Sequence, residues 1–298
     1  MAVYSNHRHQ SYQGRLTGPL ERFMVIPRYG FRSILESRIF LLLFSGCFTV
    51  PIGSLLFIYL SHNLDALNLL GINPGELDLV GNTFFFRITQ VQCMLAFFLT
   101  ALVAPGLMLP DLRHNSLPLY FSRPVRKSVY LAGKLSVLVA VQSALTWIPL
   151  GLLYLFQSGL EGGNWIFKHL DILFAIFTGS LAWILIISLI ALTVSSLVKW
   201  KAAAGALLFG VVFISSGMGE AINEIFRTNY GSLFNLIYMF EKIWEWLFSY
   251  NAAGNIIVVP ASKAPYLPLY DYWLVLAAIA AVCIALLWRK IRAFEVVK

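Results

Sequence analysis

Residues 111–134 read DLRHNSLPLYFSRPVRKSVYLAGK, a basic, aromatic connector punctuated by Pro118 and Pro124. Apolar runs at 88–109 and 135–156 flank it on both sides. A helix rising about 1.5 Å per residue needs roughly 20 apolar residues to cross a hydrocarbon layer about 30 Å thick, and both runs meet that length. Four more runs lie at 39–60, 172–197, 202–218 and 272–288, the last two short. Lipid offers backbone groups no hydrogen bonds, so these runs predict an all-α membrane protein with a six-span helical bundle. They are continuous and lack the alternation of barrel strands.

The composition agrees. Of 298 residues, 59% are hydrophobic and 12% charged, and the mean hydropathy is +0.75. Soluble domains carry about 25% charge. A single transmembrane domain over 1–298 leaves no room for a soluble catalytic domain. The net charge of +8 matters through its distribution and does not call for a nucleic-acid partner. With the N-terminus inside, only Arg87, Lys168, Arg227, Lys242 and Lys263 of the 22 Lys and Arg fall outside. Both termini are therefore expected in the cytoplasm. The polar, basic start, 1–22, does not resemble a cleaved signal peptide.

Catalytic signatures do not emerge. Cys47, Cys93 and Cys283 lie inside apolar runs without metal-type spacing, and all five histidines lie outside the spans. Gly133-Lys134 is not a phosphate loop, because Ser128 and Leu135 stand where that motif needs Gly and Ser or Thr. No catalytic residue, metal or cofactor is expected on this chain. The spans also lack ionisable residues at mid-depth, which argues against a proton-coupled carrier.

Between the spans, residues 19–38 place Phe31, Ile34 and Leu35 on one helical face, with Arg32, Glu36 and Arg38 off it. This predicts an amphipathic helix in the inner interface, where Arg28 and Arg32 reach lipid phosphates. The outer segment 219–270 contains a second stripe, running from Leu233 to Phe248, that lies at the outer surface or dips part-way in. Gln90, Gln92 and Gln142 fit either helix-to-helix hydrogen bonds or substrate contacts. In the fifth span Gly205 and Gly210 permit close helix approach, while Ser215 and Ser216 fit either dimer packing or a polar lining. Pro51, Pro105 and Pro149 are expected to kink their spans.

An ordinary inside loop needs only the charges of the connector. Its prolines and its aromatic residues Tyr120, Phe121 and Tyr130 suit a rigid knob that docks on a soluble partner. Asp111, Ser116-Leu117, Ser122-Arg123-Pro124, Arg126-Lys127 and Gly133-Lys134, in this order, resemble the pattern after the second span of ABC-2 type transporter permeases. Ser116 departs from the Gly-Thr frequent in that family, which bears on where the helix begins. The resemblance covers nearly the whole chain and implies a type V exporter-like bundle with an N-terminal interface helix and an outer helical segment. It implies two permease subunits, identical or different, above a separate P-loop ATPase that holds ATP and Mg. The coupling segment would be 111–130, with Asp111, Arg113, Leu117, Tyr120, Phe121, Arg123, Arg126 and Lys127 facing the ATPase. The first, second and fifth spans would line the dimer interface. Export across a bacterial cell (inner) membrane is the implied activity. The alternative is a structural or assembly subunit of a larger membrane complex.

Overall fold

The computed structural model describes residues 18–63, 80–114, 116, 126–249 and 267–293. Every regular element among them is helical. Six helical stretches are long and apolar enough to cross a membrane: Arg38–Ser61, Asn82–Arg113, Lys127–Glu161, Leu170–Leu197, Lys201–Phe226 and Leu269–Ile291.

Helix α1 (Pro19–Leu35) precedes the first span, which is built from α2 (Arg38–Cys47) and α3 (Thr49–Ser61). The Ser37 side chain caps α2 by accepting from the Phe40 N–H. The second span is α4 (Asn82–Arg113); the third is α5 (Lys127–Leu145) followed by α6 (Trp147–Glu161). A short α7 (Gly163–Lys168) leads into α8 (Leu170–Leu197), the fourth span, and α9 (Lys201–Phe226), the fifth. After a single 3-10 turn at Tyr230–Leu233 come α10 (Leu236–Leu247) and α11 (Leu269–Ala293).

The prolines act differently from one another. The first and third spans break at Phe48 and Thr146, three residues before Pro51 and Pro149. Each proline thus sits in the first turn of the new helix, where its lack of an N–H is tolerated, although the carbonyl four residues before it loses the donor a continuous helix would supply. Pro105 instead lies inside an unbroken α4. It leaves the Ala101 carbonyl without its helical donor, and α9 crosses there: a Cβ on Gly205 would stand 3.1 Å from that oxygen.

In their most apolar stretches 67% of α4 and 61% of α8 are buried, against 22% for the first, fifth and sixth spans. The core is therefore the α4–α8 pair, with α5, α9 and α11 packed around it. Helix α9 runs to Phe226, beyond the predicted end at 218, because GEAINEIF is polar yet still helical. Apolar character measures depth in lipid, and helix can continue past it.

The second amphipathic stripe is a core element. Asn235 caps α10 by accepting from the Tyr238 N–H at 2.9 Å, and Met239, Phe240 and Ile243 are fully buried. Trp244 lies over Gly179, where a Cβ would come within 2.6 Å of its indole, and 5.5 Å from the Trp183 ring. Gly179 is nine residues into α8, about 14 Å along its axis. The stripe thus packs its apolar face into the bundle against α8.

Leucine at Gly179 is expected to drive Trp244 out of place and cost about 1–3 kcal/mol, the usual scale of overpacking. Leucine at Gly151, whose Cβ would meet nothing within 4 Å, is the control. Thermal unfolding in detergent should separate the two.

Candidate functional site

The ends of α4 and α5 meet beneath α1. Leu107 and Asp111 lie one turn apart on α4, and Tyr130 and Lys134 one turn apart on α5, so each pair shares a helix face. Lys134 Nζ lies 2.8 Å from Asp111 Oδ2, with the two side chains only 10% and 12% exposed. Nζ also donates to the Leu107 carbonyl at 2.8 Å. The fully buried Tyr130 hydroxyl donates to the same Asp111 oxygen at 2.7 Å, and Nζ stands 5.6 Å from the centre of the Tyr130 ring. Two charges withdrawn from water survive only when their hydrogen-bonding groups are met, and this cluster meets most of them.

Helix α1 rests directly on this cluster. Its buried face is Ile26, Pro27, Gly30 and Ile34, at helical spacing. A Cβ on Gly30 would stand 2.9 Å from Val137, and one on Gly133 would stand 2.8 Å from Ile26. The two glycines let α1 and α5 touch almost backbone to side-chain stem. Between α1 and α4 a cleft of about 360 Å³ opens, lined by Val25, Tyr29, Ser33, Gly106, Asp111 and Lys134 among others.

The predicted coupling residues divide. Asp111, in the last turn of α4, turns its carboxylate inward to Lys134, and Tyr130 is buried beside it as part of α5, so neither serves as an exposed anchor of a connector. Arg113 and Arg126 are exposed at the two ends of the connector, and Lys127 opens α5. Leu117, Tyr120, Phe121 and Arg123 lie outside the described residues. On α1, Arg28 and Arg32 are exposed and Phe31 is half-buried. Leu35, read as part of the apolar face, is exposed, because the face that packs is centred one step round the helix on Ile26, Gly30 and Ile34. Arg32 pairs with Glu36 at 3.1 Å in the open, a contact worth little.

The pathway candidates do not converge within one chain. Gln92 donates to the Cys47 carbonyl at 3.2 Å, the oxygen that Pro51 deprives of its helical donor. Gln142 donates to Ser188 Oγ at 2.7 Å, joining α5 to α8. Both act as hydrogen-bond glue. Ser215 bonds the Val212 carbonyl of its own helix, while Ser216 donates to Asn235 and holds the cap of α10. Gly210 meets only Ile214 of its own helix, and Gly205 packs on α4.

Gln90 stands beside Glu241 on α10 and favours the charged form of its carboxyl. Burial, and then the Glu245 carboxylate, push Glu241 above the ordinary glutamate range, against the pull of Lys242, Arg87 and Gln90. A carboxyl that binds its proton more tightly when folded destabilises the fold once pH rises above its unfolded pKa, and costs nothing below it.

Sequence reasoning missed the Asp111–Lys134 pairing. Its one signal was that each charge bounds an apolar run, at opposite ends of the same connector. Among the described residues no three His, Cys, Asp or Glu side chains gather as metal ligands. No protein-family model matches the chain, and no curated protein matches it.

Asp111→Asn is expected to lower stability by about 3–5 kcal/mol, because it strands a buried ammonium. The Asp111→Leu, Lys134→Met double variant should recover much of that loss in the same unfolding assay. Glu241→Gln should raise the melting temperature at neutral pH, and the gain should vanish at pH below the normal glutamate range.

Proposed function

We propose that this chain is the membrane permease subunit of an ATP-driven ABC-2 type exporter, working with a separate cytoplasmic P-loop ATPase that carries ATP and Mg. The observation that supports the reading most is the meeting of three separated motif elements at one end of the bundle. Asp111 after the second span, Gly133-Lys134 at the entry to the third and the amphipathic helix α1 are joined there by an ion pair and a glycine contact. A force applied to the connector 114–126 passes directly into α4, α5 and α1, because both ends of the connector are clamped to each other. Rigid coupling of this kind suits a permease that rocks between two packed states.

In this reading α1 lies in the inner membrane interface with both termini cytoplasmic, and Arg113, Arg123, Arg126 and Lys127 face the ATPase. The second permease subunit pairs across the first, second and fifth spans. Helices α2, α3 and α9 all pack on α4, and α3 and α9 leave large apolar faces uncovered, including Ile52 and Leu56 on the first and Ile214 and Met218 on the second.

The test is the double variant Arg123→Glu, Arg126→Glu in the native membrane. The chain should still insert, while the ATPase that purifies with it falls about tenfold, the scale of one lost charged anchor. Unchanged ATPase recovery and turnover would count against the coupling role. Purification of the wild-type chain with other integral subunits and no ATPase would favour the structural-subunit alternative.

A further inference from the structure

We propose that the cleft between α1 and α4 binds the zwitterionic headgroup of an ethanolamine phospholipid. The proposal rests on α1 lying in the lipid interface. The cleft, about 360 Å³, is of small-ligand size and holds both members of the buried ion pair in its wall. Asp111 Oδ2 is taken by Lys134 and Tyr130, which leaves Oδ1 to accept from a ligand. Lys134 spends two of its three N–H donors on Asp111 and Leu107. Gly106 is also in the wall, and its carbonyl has no helical N–H to accept from because residue 110 is proline.

The site therefore presents a carboxylate oxygen and a carbonyl beside one ammonium donor. A lone anion meets Asp111, and a lone cation meets Lys134. A ligand with both charges a short spacer apart can lie antiparallel to the pair, its ammonium on Asp111 Oδ1 and the Gly106 carbonyl, its phosphate on Lys134. Ser33 and Tyr29 line the same space. Val25 and Tyr29 edge the mouth and are 50% and 68% exposed, an apolar rim for the glycerol end of a lipid. Ethanolamine fits and choline does not, since trimethylation removes the N–H groups that the two acceptors need.

The experiment is native mass spectrometry of the full chain in mild detergent, titrated in turn with phosphatidylethanolamine, phosphatidylcholine and phosphatidylglycerol. One ethanolamine lipid should be retained at about tenfold lower concentration than either of the others, the scale of one charged hydrogen bond. Gly106→Leu should abolish that preference: a Cβ there meets nothing within 4 Å, so the side chain fills the cleft and spares the ion pair. Ser33→Leu occupies the same space from α1 and replaces it if that variant fails to fold. Equal retention of the three lipids, or a preference that survives both variants, overturns the site.

A fluorophore on Leu35→Cys, which is exposed and outside the cleft, separates this failure from that of the interface reading. Quenching by a lipid-phase quencher without ethanolamine preference overturns the headgroup site alone. No quenching overturns the site together with the interfacial placement of α1. Neither arm depends on the ATPase.

Discussion

Inside a bundle this apolar, a polar group can be answered only from within the protein, and the arrangement of the spans follows from which groups are answered. Among the described residues seven buried side-chain atoms, Gln92 Oε1, Gln142 Oε1 and the Trp183 and Trp244 indole nitrogens among them, are not. Pro51 strips the Cys47 carbonyl of its helical donor, and Gln92 supplies one from the next span. Pro105 strips the Ala101 carbonyl, and Gly205 brings α9 over it. Each irregularity in one helix thereby specifies a neighbour. The costliest case is Asp111 with Lys134, where two full charges are taken from water and answered by each other, by Tyr130 and by a backbone carbonyl. Such a cluster adds little net stability over apolar packing but permits very few alternative arrangements of α4 and α5.

Small residues set the distances at which these partners meet. Gly30 and Gly133 seat α1 against α5, Gly179 admits the Trp244 indole, and Gly219 and Gly231 bring the end of α9 against the turn before α10. Without a hydrophobic force between helices in lipid, close van der Waals contact of this kind carries much of the packing energy. The two amphipathic helices are thus built into the bundle at opposite ends of the chain's spans. One rests on the charged cluster; the other inserts beside α8.

That placement links the mechanics of the two ends. Helix α8 touches α4, α5, α9, α10 and α11, so a tilt of α4 or α5 at the Asp111–Lys134 end must repack the residues around Trp183 and Trp244. The Gln142–Ser188 bond lies between these regions and ties α5 to α8 directly.

The sequence alone determined the six apolar helices and the amphipathic character of α1 and α10, because lipid selects for length and apolarity and both are local properties. It also contained the breaks near Pro51 and Pro149, since a missing N–H is local as well. Helix ends were less legible: α9 continues through polar residues to Phe226, because hydrogen bonding outlasts hydrophobicity. Which polar residues meet was decided only in three dimensions. Gln90 and Gln92 are two positions apart, yet one stands beside Glu241 and the other hydrogen-bonds the Cys47 carbonyl, because neighbours so spaced point to different sides of a helix. Asp111 and Lys134 are 23 positions apart and looked like members of one charged loop. The antiparallel packing of α4 and α5 turned both inward, where each is tolerable only because the other is there.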